Sequence, residues 1–280
     1  MQVHQKAREV FMNAVRFLPH HISFAVYYFL LTALSELLQV ARTISWNSQI
    51  QDMSQADGSP IKAAYTLSSF WQNMLSEDCI LALQHPYMPY ILFALSCLML
   101  FIFMGVTFIA QALLRKRDAS IVHETVHSFH ALTRAPWAVL YFLALAAYMS
   151  FIPYLVTTKD VAAATTPFVF LPFFAFMLLS LILGTALIYL QPLLYDNYYS
   201  LQSVVHTSWE YLKKSWFVLL KFFIIMGAIG LLVAVPFMTF ALSLTELPIV
   251  VILQFLIRTY FTLVGIVGFN MIYLHVRSEK

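Results

Sequence analysis

The chain has 280 residues, 61% of them hydrophobic and 10% charged, with a formal net charge of +3. Soluble domains carry about 25% charged residues, so a surface that mostly faces water is excluded. The 16 Lys and Arg residues border apolar runs instead of forming one patch, which argues against a nucleic-acid interface.

A helix that crosses a bilayer needs about 20 apolar residues. Six runs qualify, near 22–41, 88–114, 136–158, 167–194, 216–243 and 248–274. The first follows a basic amphipathic segment and has no small-x-small cleavage site behind it, so it reads as a retained helix. The loop 42–87 comes next. Its stretch from Trp46 to Pro60 is rich in Ser, Gln, Asp and Gly and reads as irregular. Beyond it, Ile61, Tyr65, Trp71, Met74, Leu75, Cys79 and Leu83 recur at helical spacing, which predicts an amphipathic helix on the outer face. Pro89, Pro136, Pro167 and Pro248 mark starts of spans, where a missing N–H costs nothing. Pro153, Pro172 and Pro236 predict kinks or shortened spans. Cys79 and Cys97 set up no disulfide framework.

Orientation follows from the basic residues. With both termini on one side, that side holds twelve Lys and Arg: Lys6, Arg8, Arg16, Arg115, Lys116, Arg117, Arg134, Lys213, Lys214, Lys221, Arg277 and Lys280. The other side holds Arg42, Lys62 and Lys159. This asymmetry predicts cytoplasmic termini.

The chain also repeats itself. Val15-Arg16-Phe17-Leu18-Pro19-His20, Phe129-His130-Ala131-Leu132-Thr133-Arg134 and Trp209-Glu210-Tyr211-Leu212-Lys213-Lys214 share a leading apolar residue, a leucine three places on and a basic or imidazole group two places later. An apolar run follows each, and the second and third copies align without a gap 80 residues apart. Internal repeats fix architecture. The expectation is a single all-α membrane domain over 1–280. It is a six-helix bundle of three units, about 1–114, 118–194 and 196–276, each an interfacial helix plus a transmembrane hairpin.

Three constellations are candidates for chemistry. His123-Glu124-Thr125-Val126-His127 is an H-E-x-x-H motif. On a helix its histidines lie one turn apart and can bind zinc, with Glu124 as general base. Glu210 is the best third ligand, with His130 and His206 as alternatives. The order of two spans, motif, two spans and a glutamate resembles membrane-bound zinc peptidases of the heat-shock and CAAX-processing type. The flanks of Glu210, Ser208-Trp209 and Tyr211-Leu212-Lys213, depart from the pattern of those enzymes, and no segment forms their soluble domain. The aligned residues of the third copy, Ser203 to Thr207, lack the motif. The preferred reading is therefore a His/Glu surface that faces solvent or headgroups, with no metal or other cofactor.

Second, Glu36 and Arg258 fall inside the first and sixth spans. An ionisable residue in lipid costs about 3 kcal/mol or more at the centre and normally finds a partner. Opposite helix directions put both in the outer half, where an ion pair locks the first hairpin to the last; a small-solute or ion path is the rival reading. Third, Arg134, Trp137, Trp209, Lys213, Lys214 and Trp216 form basic-aromatic rims. Such rims anchor at headgroup level and favour anionic lipid.

The stretch Ser203-Val204-Val205-His206-Thr207-Ser208-Trp209-Glu210-Tyr211-Leu212-Lys213-Lys214-Ser215-Trp216, followed by an aromatic-aliphatic span, resembles one known group. It is the six-span membrane domain of some bacterial glycerophosphodiester phosphodiesterases and its free-standing inner-membrane relatives. The resemblance implies a multi-pass inner-membrane protein. The phosphodiesterase barrel is absent, so that activity is not implied. The reading is a non-enzymatic protein of a bacterial inner membrane, acting in envelope organisation, lipid interaction or assembly with a membrane-protein partner or further copies of itself.

Overall fold

A computed structural model describes the backbone of residues 2–54, 77–83, 85, 87–116, 120–144, 187–243 and 248–278. Most of the third and fourth expected spans, residues 55–76 of the outer loop, and the connections 159–166 and 244–247 lie outside the described residues. All labelled elements are helices: α1 Gln2–His20, α2 Ile22–Ser54, α3 Glu77–Leu83, α4 Met88–Leu114, α5 Ile121–Arg134, α6 Leu190–Tyr195, α7 Leu201–Ser243 and α8 Pro248–Ser278. A further helical stretch covers 136–144.

Among the described residues, three helices are long and apolar enough to cross a membrane: Tyr90–Leu114, Leu201–Val233 and Ile252–Ser278. A fourth crossing is added if the bent pair Lys6–His20 and Ile22–Leu38 counts as one span. The surface chemistry agrees with lipid contact. Along α2, Ile22, Val26, Leu30, Leu34 and Leu37 are exposed at one-turn spacing, while Phe24, Tyr28 and Leu31 are buried on the opposite side. An apolar stripe of this length is an aggregation liability in water and an asset in hydrocarbon.

The second and third expected copies are buried at several matching positions. Glu124 and Val204, Ser128 and Ser208, Ala131 and Tyr211, Ala135 and Ser215, and Phe142 and Phe222 are buried pairs set 80 residues apart. The junctions nevertheless differ. At the first, Pro19 removes an N–H and crowds the preceding turn. The chain bends by 94° there, closed by the His21 N–H donating to the Leu18 carbonyl at 3.0 Å. At the second, Ala135 precedes Pro136, which disfavours the helical conformation for it; Ala135 sits at φ −126°, ψ 68°. The third junction has Ser215-Trp216 and no proline. There α7 runs for 43 residues and passes through Pro236 to Ser243, about 65 Å, so Pro236 does not end the helix and the expected separate interfacial helix is the first part of one that is long and apolar enough to cross a membrane. A second difference concerns the outer loop. The residues read as irregular from Trp46 begin in helix, because α2 continues to Ser54. No Gly or Pro interrupts the sequence between Ile22 and Gly58.

Two cores meet at α4 and α8. One gathers Phe108, Leu193, Tyr189, Tyr211, Phe222 and Tyr273. The other joins Phe24, Tyr28, Ile109, Leu263 and Val267 from α1's neighbour α2, α4 and α8. Gly105 permits the close approach of α4 and α5, since a methyl there would lie 3.1 Å from Thr125 Oγ1.

Candidate functional site

Asp196 owes its position to the end of α6. Asn197 adopts the left-handed conformation, φ 67°, which asparagine tolerates better than most residues. Its N–H donates to the Leu194 carbonyl at 3.1 Å, and the Tyr198 N–H donates to the Leu193 carbonyl at 3.1 Å. This pair of bonds is a Schellman closure, and it turns Asp196 into the bundle. There the carboxylate accepts from Arg115 Nη1 at 2.7 Å, Arg277 Nη1 at 2.9 Å and the Tyr273 hydroxyl at 2.5 Å. The Asp196 side chain is only 3% exposed, so two guanidiniums and a phenol take the place of water around it.

The network continues inward. Arg115 Nη2 donates to Gln111 Oε1 at 2.9 Å, and Gln111 Nε2 donates to Asn270 Oδ1 at 2.6 Å. The Arg115 guanidinium also lies 4.7 Å from the centroid of the Tyr195 ring. Next to it, Tyr189 shares a 2.5 Å hydrogen bond with Ser215 and stacks on Phe269 at 5.1 Å. Helices α4, α6, α7 and α8 are thereby tied at one level.

Beyond this lock the helices part. A cavity of about 810 Å³ runs along α7 and α8, with Thr107, Gln191 and Asn270 at its polar floor and Arg258 on its wall. Thr107 donates to Gln191 at 2.5 Å. Gly227, Gly230 and Gly265 also line it, and a methyl on Gly227 or Gly230 would meet nothing within 4 Å. Phe223, Met226, Phe261 and Ile266 make the rest of the wall largely apolar.

The residues singled out in the sequence fall in separate places. The Glu124 carboxylate is buried between its two histidines, with His123 Nδ1 3.3 Å from Oε1 and His127 Nδ1 3.4 Å from Oε2. The His127 ring packs edge-on against Phe108, with centroids 5.2 Å apart. Glu210 lies on α7, 3.8 Å from His206 Nδ1, and His130 is exposed on α5. Among the described residues no three His, Cys, Asp or Glu side chains are grouped to hold a metal ion. Arg258 of α8 donates to the Glu36 carboxylate of α2. In the rims, Trp137 Nε1 donates to the Tyr199 carbonyl at 2.7 Å, Arg134 lies over the Tyr199 ring and Lys213 over Trp209. Trp209 and Trp216 are exposed.

Sequence reasoning missed Asp196 and its partners. The available signal was Gln111 and Asn270, lone amides inside apolar runs, which call for a partner. The cavity had a weaker signal, the glycines at 227, 230 and 265 among only seven in the chain. Compared with family models, with curated proteins and with solved structures, the chain matches none.

Proposed function

We propose that this chain is a non-enzymatic, multi-pass protein of a bacterial inner membrane that holds an amphipathic, lipid-like molecule between its helices. The observation that carries this reading is the cavity of about 810 Å³ beside α7 and α8, apolar on its walls and polar at Thr107, Gln191 and Asn270. Ligand sites of this kind span about 300–1,000 Å³ and combine an apolar lining with a few orienting polar groups.

The layout proposed is six spans in three units, with both termini in the cytoplasm. It is supported by the three apolar helices and the bent pair, by burial in register 80 residues apart, and by twelve basic residues against three. Helix α8 adds a measure of depth. Arg258 and Arg277 are 19 residues apart, about 29 Å along the axis, so the two guanidiniums fit opposite boundaries of a hydrocarbon core about 30 Å thick. On this layout Arg258 and Glu36 pair near the outer boundary, where a charge costs less than at the midplane. The resemblance to the membrane domain of glycerophosphodiester phosphodiesterases points in the same direction by analogy.

The test is purification of the full chain in native lipid, followed by mass spectrometry of what it retains. The intact protein is expected to carry a distinct amphiphile, and Gly230→Leu, which puts a branched side chain into the cavity, is expected to lose it. Equal retention by both proteins would remove the basis of the reading.

A further inference from the structure

A second, smaller cavity lies between α1, α7 and α8. It measures about 250 Å³, and Lys6, Lys214 and His275 meet on its rim, with Asn13 beside them. The Lys6 ammonium lies 3.1 Å from His275 Nε2. One carboxylate, Glu9, shares the lining, and Val10, Val218, Ile272 and Val276 form the apolar part. The basic groups come from three helices far apart in the chain, so tertiary packing builds this concentration of charge. Helical periodicity within one segment does not.

We infer that this cavity is a binding site for a phosphate-bearing anion, of the kind carried by the headgroup of an anionic phospholipid. Among the described residues the lining sets two lysines, from α1 and α7, against one carboxylate. Ammonium groups at a membrane border attract anionic lipid at about 1 kcal/mol each, and a phosphate supplies several strong acceptor oxygens to donors that converge on it. The cavity adjoins a border. Trp216, two residues beyond Lys214, is an exposed side chain of the type that settles at headgroup depth. The next turns of α7 expose Phe217, Leu220 and Ile224, which offers acyl chains a surface directly below a bound headgroup. The inference rests on the membrane-protein reading, and it is independent of any occupant in the larger cavity.

The experiment uses the full chain in neutral detergent and follows its thermal unfolding. Short-chain phosphatidylglycerol, short-chain phosphatidylcholine and inorganic phosphate are added separately. Phosphatidylglycerol is expected to raise the Tm saturably, and phosphatidylcholine is not. The double variant Lys6→Gln, Lys214→Gln is expected to bind at least about tenfold more weakly, with Lys6→Arg, Lys214→Arg restoring binding. Arg8→Gln, Lys116→Gln removes two charges at exposed positions outside the cavity and is expected to bind as the parent does. An effect of inorganic phosphate that matches the lipid's would assign the site to free phosphate, and no such effect would assign it to the headgroup. Equal responses to the two lipids, or undiminished binding by a folded double variant, would overturn the inference. Gly230→Leu should leave this binding unchanged, which separates its failure from that of the larger cavity.

Discussion

Around Asp196, the side chains of Arg115, Tyr273 and Arg277 converge on one buried carboxylate. Around Gly230, on α7 beside the same α8, the helices leave an open cavity walled partly by backbone. Asn270 belongs to both regions, bonded to Gln111 on one side and lining the cavity on the other. Arg258, at the far end of that cavity, is 12 residues from it, about 18 Å along α8. The difference teaches where the fold invests rigidity. Hydrogen-bonded polar groups fix the helices at one level, and the room for a ligand lies alongside that fixed level, out to Arg258.

The comparison can be broken most severely at Asp196. Asp196→Ala leaves Arg115 buried without its carboxylate, and removing one partner of a buried pair costs about 3–5 kcal/mol. Denaturant unfolding in detergent is expected to report a loss in that range; a loss under 1 kcal/mol would mean the lock is not structural. Gly268→Ala comes next. The added methyl would collide with the Phe222 ring, where α7 lies on α8, at a cost of about 1–3 kcal/mol. The same unfolding measurement checks it. Gln111→Leu leaves Asn270 Oδ1 without its donor. Interhelical hydrogen bonds in membranes are worth about 0.6 kcal/mol on average, so a decrease of about 1 kcal/mol is expected, with Asp196→Ala still the larger effect. Gly230→Ala should do least. Nothing lies within 4 Å of its methyl, and alanine favours the helix by about 1 kcal/mol, so the Tm is expected to hold or rise. A fall like that of Gly268→Ala would show a packed wall where the structure has an open one.

Part of this was legible in the residues. Helix α4 begins at Met88 with Pro89 in its first turn and ends with its apolar run at Leu114. Helix α8 begins at Pro248, because proline suits a first turn. The bend after Pro19 and the break at Ala135 before Pro136 follow from local backbone chemistry of the same kind. The extension of α2 to Ser54 was hidden because Ser, Gln and Asn favour loops only weakly and tolerate helix. The continuity of α7 was hidden because the repeat pattern invites a break that Ser215-Trp216 does not make. The Asp196 network joins residues 81 and 77 positions apart, and no periodicity carries that information. Periodicity is likewise blind to a cavity walled by glycines, since the feature consists of missing side chains.

The unbroken course of α7 has a mechanical consequence. A helix about 65 Å long acts as a lever, and besides a proline, here Pro236, such a helix gives way where glycines come close together. Gly227 and Gly230 supply that joint, and they sit where a guest molecule would press. Lys214 is 16 residues away, about 24 Å along the axis, so a flexure of about 10° at the joint would swing it by about 4 Å. The length of α7 thus converts a small change of angle among its glycines into a shift of several ångströms at the water's edge.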